Sequence, residues 1–263
     1  MRKSCLALMG LLVCVAVAAA QQPQAQPATA QPAVADSKLL DMHLQAWEAR
    51  MKDISSLEMK GIERTDKDNQ LKYVNKWRGE AKYLKPNLAS LTLVREDKKE
   101  IFERWVWTGA AIYEYAPAQK EIIIHPLDTK KDGKVSDVNV LDLMLGMKAE
   151  DAKKRYGLQI SKGKENDLYY IYIDILPREN RDKAEFEVAR LVLHKDSYLP
   201  RQLWMRAPNG DEQTWNIPQV KKDVPIERRE FQAPEAPKGW KMVQGVKPTE
   251  AEKAPRIIRQ QRP

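Results

Sequence analysis

Beyond residue 20 the chain contains no cysteine; both of its cysteines, Cys5 and Cys14, lie before that point. This excludes a disulfide framework, a thiolate metal site and a cysteine nucleophile from the rest of the chain. Histidine is nearly as scarce. His43, His125 and His194 are far apart, and on separate elements they read as packing or surface groups rather than as a metal or catalytic centre. There is no Gly-x-Ser-x-Gly elbow and no His-Glu-x-x-His pair, and Gly133-Lys134 lacks the upstream glycine of a phosphate loop. Asp167, Asp174 and Glu212 could approach one another across strands, but carboxylates on alternating strands read first as the wet face of a sheet. No enzyme, no metal and no cofactor is therefore expected. Phenylalanine is also rare, with three residues against seven Trp and nine Tyr. A core built on Trp and Tyr must satisfy their N–H and O–H groups as well as bury their rings.

Charge of one sign is lacking too. The chain has 45 Lys and Arg against 37 Asp and Glu, a formal +8. Removing Arg2 and Lys3 leaves +6, because no acid lies in the first twenty residues. Interleaved signs describe a solvated surface, and the even spread of acids argues against nucleic acid, whose phosphates they would repel. The one long apolar run, Leu6 to Val17, is too short to span a membrane. Preceded by Arg2-Lys3 and followed by Ala18-Ala19-Ala20, it has the form of a secretory signal peptide over residues 1–20. Leu11-Leu12-Val13-Cys14 places bulky Val13 where lipoprotein processing needs a small residue, so a lipid-anchored form is not expected. The mature chain is expected in the periplasm or cell envelope.

Gln21 to Ala35 is Pro, Gln and Ala without periodicity, a flexible linker. Residues 36–243 carry the patterned sequence, and 244–263 form a basic flexible tail suited to envelope membrane proteins or an anionic membrane surface. Asp36 and Ser37 are candidate helix caps. From there Leu40, Leu44, Trp47, Met51 and Ile54 recur at steps of three and four, one apolar stripe on an amphipathic helix. Alternating stretches follow from SLEMKGIER to EQTWNIPQV, about ten or eleven strands closed by turn residues. Helical pattern interrupts them at residues 135–157. There Leu141, Met144 and Leu145 lie in an apolar half, before a charged half from Lys148 to Arg155. Few helices between strands imply an antiparallel, mainly β (α+β) fold.

Three local motifs carry a resemblance. GEAKYLKPNL (79–88), TGAAIYEYAP (108–117) and YLPRQLWMRAPNGDEQTWNI (198–217) occur in this order, with Phe231 and Pro237-Lys238-Gly239 after them. Together they resemble the periplasmic lipoprotein carrier family LolA and its LolB-type relatives, in a divergent branch. The resemblance implies a strongly curved antiparallel half-barrel, covered by the N-terminal helix and a central lid helix over an apolar cavity for acyl chains. It implies an acylated ligand, lipoprotein or lipid, and no catalysis. The ligand-binding residues implied are Leu91, Leu93, Trp105, Trp107, Tyr113 and Tyr115, with Leu141, Met144 and Leu145 in the lid. The family's lid latch, an arginine before Pro-Asn, is matched by Lys85, a point charge in place of a planar fork. A filled core would use the same residue types, so an envelope interaction module on the same fold is the alternative.

Overall fold

The computed structural model describes residues 34–127 and 147–245. Helix α1 spans Val34–Asp53, starting upstream of the expected caps. Six strands follow: β1 Ser56–Lys67, β2 Val74–Leu84, β3 Leu88–Arg95, β4 Phe102–Thr108, β5 Ala111–Ala116 and β6 Glu121–Pro126. Next come α2 (Ala149–Arg155), β7 (Tyr156–Ile160), β8 (Tyr170–Pro177) and α3 (Asn180–Glu185). The chain continues through β9 (Val188–His194), β10 (Pro200–Arg206), β11 (Glu212–Asn216) and β12 (Gln219–Lys222), then a 3-10 turn at Arg228–Phe231, and β13 (Lys241–Gln244). The thirteen strands form one unclosed sheet in the order β13-β6-β5-β4-β3-β2-β1-β11-β10-β9-β8-β7, with β12 alongside β1. Among the described residues every pairing is antiparallel except β13 on β6.

The sheet is strongly curved. Trp107 on β4 and Ile171, Ile173 and Ile175 on β8 belong to one buried core. Seven strand spacings separate those strands, about 34 Å in a flat sheet, and the core runs without interruption along the concave face between them. Two glycines permit the curl. Gly61 (φ 65) sits where β1 shifts register between Met59 and Ile62, a bulge that bends the strand. At Gly79 an added Cβ would lie 1.8 Å from the backbone oxygen of Thr92, so β2 and β3 approach there as only glycine allows.

Helix α1 fills the hollow. Leu40, Leu44, Trp47, Met51 and Ile54 are all buried in the same core as Leu57, Leu93, Leu191 and Leu203. Its outer face is tied to α2 by Glu48, which accepts from the Ala149 amide at 2.9 Å, and by Asp41, 3.2 Å from Lys153 Nζ. At the helix's end the Lys85 ammonium donates to the carbonyls of Met51, at 3.0 Å, and of Lys52. A cation there satisfies orphan carbonyls and the negative helix end together. Lys85→Met is therefore expected to lower stability by about 1–2 kcal/mol in urea denaturation. A loss under about 0.5 kcal/mol would mean that water serves those carbonyls equally well.

His43, also on α1, is buried and its Nδ1 lies 3.1 Å from the Tyr198 hydroxyl. Burial first, and Lys195 second, depress its pKa below 6.5. Burial also lowers His194, with help from Arg201. For a group depressed on folding, the unfolded chain takes up the proton first. Stability is then full above the unfolded value and declines as pH falls below it. Melting temperature should thus drop as pH is lowered through about 6.5 toward 5, and His43→Gln should flatten part of that drop. A pH-independent melt across that window would contradict the placement.

On the convex side the C-terminal segment forms a strap. Phe231 is buried against β3 and β4. Trp240 packs on Phe102 and Tyr115 with centroids 6.3 and 6.0 Å away.

Candidate functional site

The register of β3, β4 and β5 decides which expected residues share a wall. Across the strands, Ala89 faces Trp107 and Trp107 faces Ile112, while Leu91 faces Trp105 and Trp105 faces Glu114. Directly opposed residues lie on one face. Trp105, Trp107, Leu91, Leu93 and Ile112 therefore line the hollow, and the two indoles stack with centroids 6.2 Å apart. Tyr113 faces Val106 and Tyr115 faces Arg104, so both tyrosines lie on the convex side, with Tyr115 under Trp240. The four rings are not brought together. Leu141, Met144 and Leu145 lie outside the described residues. Lys85 is at the end of α1, as described above.

Within the hollow the wall grades from closed to open. Leu93 is fully buried and Trp107 nearly so, whereas Trp105 and Ile112 are only partly buried and pack against the edge of the core. Next to Trp105, Glu114 Oε2 is 2.9 Å from His125 Nε2. Two residues along β4 from Trp105, on the same face, lies Glu103, opposite Leu93.

Glu103 belongs to a buried polar node. Arg64 on β1 is 4% exposed and donates through Nη1 and Nη2 to the two oxygens of Glu103, at 2.6 and 2.7 Å. Three strand spacings separate β1 from β4, about 14 Å if flat, so two long side chains and the curvature of the sheet together close this contact. Arg64 Nε is 3.1 Å from Asp66 Oδ1. The guanidinium carbon sits 4.5 Å from the ring centroid of Trp77 and 5.2 Å from that of Trp215, the cross-strand neighbours of Arg64 on either side. Asp66 also accepts from Trp77 Nε1 at 2.8 Å and Gln213 Nε2 at 2.9 Å, and Trp215 Nε1 donates to Gln213 at 2.7 Å. Burial works against the Arg64 charge, but Glu103 and Asp66 outweigh it and its proton is held more firmly than usual. Burial pushes the Asp66 carboxyl up despite Arg64. The sequence reading missed this node. Its one available signal was Gly61 inside a strand pattern, which marks a bulge and shifts the inward set from Leu57 and Met59 to Ile62, Arg64 and Asp66.

The three carboxylates weighed as a cluster are apart. Asp174 holds Ser161 and Arg190, Asp167 caps the amides of Tyr169 and Tyr170, and Glu212 lies opposite Lys67 on β1. Among the described residues no group of His, Asp or Glu is arranged to hold a metal ion. None of the described helices is long and apolar enough to cross a membrane. A shallow groove of about 400 Å³ at the β9–β10 turn is lined by His194, Ser197, Leu199, Ile217, Gln219 and Lys221, among others.

No family model and no curated protein matches the chain. Solved structures similar to it include a LolA superfamily protein from Nitrosomonas europaea (8% identity, TM-score 0.36, covering 72% of this chain and 97% of that one). A DUF1329 family protein from Desulfovibrio piger gives 10% identity and a TM-score of 0.42, covering 75% of this chain and 97% of that one. The MucA/MucB complex of Pseudomonas aeruginosa gives 13% identity and a TM-score of 0.39, covering 74% of this chain and 61% of that one. The architecture itself, an unclosed curved antiparallel sheet with α1 in its hollow, is the half-barrel fold class expected from the sequence.

Proposed function

We propose that the mature chain is an exported, non-enzymatic binding protein of the cell envelope that holds an acyl chain of a lipid or lipoprotein against the Leu91–Trp105–Trp107–Ile112 wall. The observation that carries this reading is the partly open end of an otherwise closed apolar face. Trp105 and Ile112 continue the core without being sealed in it. Apolar, aromatic-lined concavities are the usual form of a small-molecule site. Burying an acyl chain is worth about 0.8 kcal/mol per CH₂, so such a site needs shape and apolar area rather than reacting groups.

A second reading rests on α1. Four of its side chains, Leu40, Leu44, Trp47 and Met51, are packed into the hollow, and a hollow filled by the protein's own residues suits an envelope interaction module with protein partners. One experiment separates the two. Native mass spectrometry of the mature chain, prepared from an envelope fraction without detergent, is expected to show extra mass that organic extraction removes. A clean apo mass, together with no fatty-acid-displaceable binding of a polarity-sensitive dye, would overturn the carrier reading and leave the module.

A further inference from the structure

We infer that Arg64 is the receptor for a carboxylate head group on the acyl ligand, and that Glu103 occupies the ligand's place until it arrives. The inference rests on the acyl-binding reading above and names the head group that the site selects. The apolar wall ends at this charge. Trp107, Trp105 and Glu103 succeed one another on the same face of β4, each step about 7 Å, and Glu103 is bound to Arg64. A chain lying along the two indoles has its end at the guanidinium.

The two counter-ions of Arg64 differ in how they are held. Asp66 is fixed by Trp77 and Gln213 as well as by Arg64. Glu103 has its two hydrogen bonds to Arg64, and its side chain is 25% exposed against 5% for Arg64. Glu103 is the partner able to swing out to water. The fork it leaves does not collapse, because Trp77 and Trp215 hold the guanidinium plane from both sides. An incoming carboxylate replaces a carboxylate in the same bidentate geometry, so the buried charge balance is unchanged. A neutral head group offers no such exchange. It leaves Arg64 with Glu103 and binds through its chain alone.

The test compares hexadecanoate with hexadecanol, each below its aggregation limit, by intrinsic Trp fluorescence titration of the wild-type mature chain and of Glu103→Gln. The acid is expected to bind at least ~10-fold tighter than the alcohol to wild type, as a charge-assisted bidentate contact allows. Removing the internal competitor in Glu103→Gln is expected to tighten the acid by a further ~10-fold and to leave the alcohol unchanged. Should Glu103→Gln fail to fold by circular dichroism, Glu103→Asp, which keeps the charge but shortens its reach, is expected to move the acid in the same direction. Equal affinity for acid and alcohol in every folded variant would overturn the carboxylate receptor while leaving the acyl site standing. Binding of neither probe would overturn both.

Discussion

Arg64→Met is expected to cost about 3–5 kcal/mol, the effect of removing one partner from a buried ion network. The substitution leaves Asp66 and Glu103 facing each other in the hollow without their cation, and deletes the plate between Trp77 and Trp215. The Asp66 carboxyl, already pushed up by burial, would then lose the cation that opposes that shift and rise further. A group raised on folding adds stability at low pH and loses it as pH rises through its folded value. The variant should therefore be relatively less impaired near pH 4 than at pH 7, in urea melts at both. The triple variant Arg64→Met, Asp66→Asn, Glu103→Gln should recover more than half of the loss, because its buried groups are neutral. A single-variant loss below about 1 kcal/mol would place Arg64 among ordinary surface pairs and remove the basis for treating it as the fixed end of a ligand site.

How much of this was readable beforehand follows from what periodicity encodes. The α1 stripe was legible because a helix buries one face at steps of three and four, and Leu40, Leu44, Trp47, Met51 and Ile54 are all buried. Strand alternation was legible for the same reason at a step of two. Register was not. Within β4 the sequence says that Trp105 and Trp107 share a face, and within β5 that Tyr113 and Tyr115 do. Whether the two pairs share it depends on how many residues the connecting turn consumes. Trp107 pairs with Ile112, which puts odd-numbered residues of β4 opposite even-numbered residues of β5 and sends the tyrosines outward. Arg64 was hidden by the same logic, since the bulge at Gly61 inverts the inward set halfway along β1.

The elements that escaped the sequence reading share a cause as well. Strand β7 is five residues with a glycine second, directly after α2, and it lay where a helical pattern was fading. The four residues of β13 have mostly exposed side chains and pair in parallel with β6. That pairing comes from a long return across the convex face, for which no hairpin signal exists. Lys85 was legible as a cation before Pro-Asn. Its object, the carbonyl end of α1, required the fold.

Trp47→Ala should be the largest packing defect available on α1, about 3–5 kcal/mol for a buried aromatic truncated to a methyl. The informative control is Trp47→Phe. Trp47 is 4% exposed and its indole Nε1 is buried with no acceptor among the described residues. Phe keeps a ring and removes a desolvated donor, whose burial without a partner costs about 1–3 kcal/mol. The loss for Phe should therefore stay under about 1.5 kcal/mol; a loss equal to that of Ala would mean the N–H has a partner that matters. The pair also bears on function. A filled hollow and a carrying hollow differ by the volume that α1 occupies, and Trp47→Ala empties part of that volume inside an apolar wall, where a cavity stays dry and takes up apolar molecules. If α1 and an acyl chain compete for the same space, Trp47→Ala should lose stability and gain affinity for hexadecanol in one step. A variant that loses stability with no change in affinity would separate the helix from the ligand site and confine binding to the open end beside Trp105.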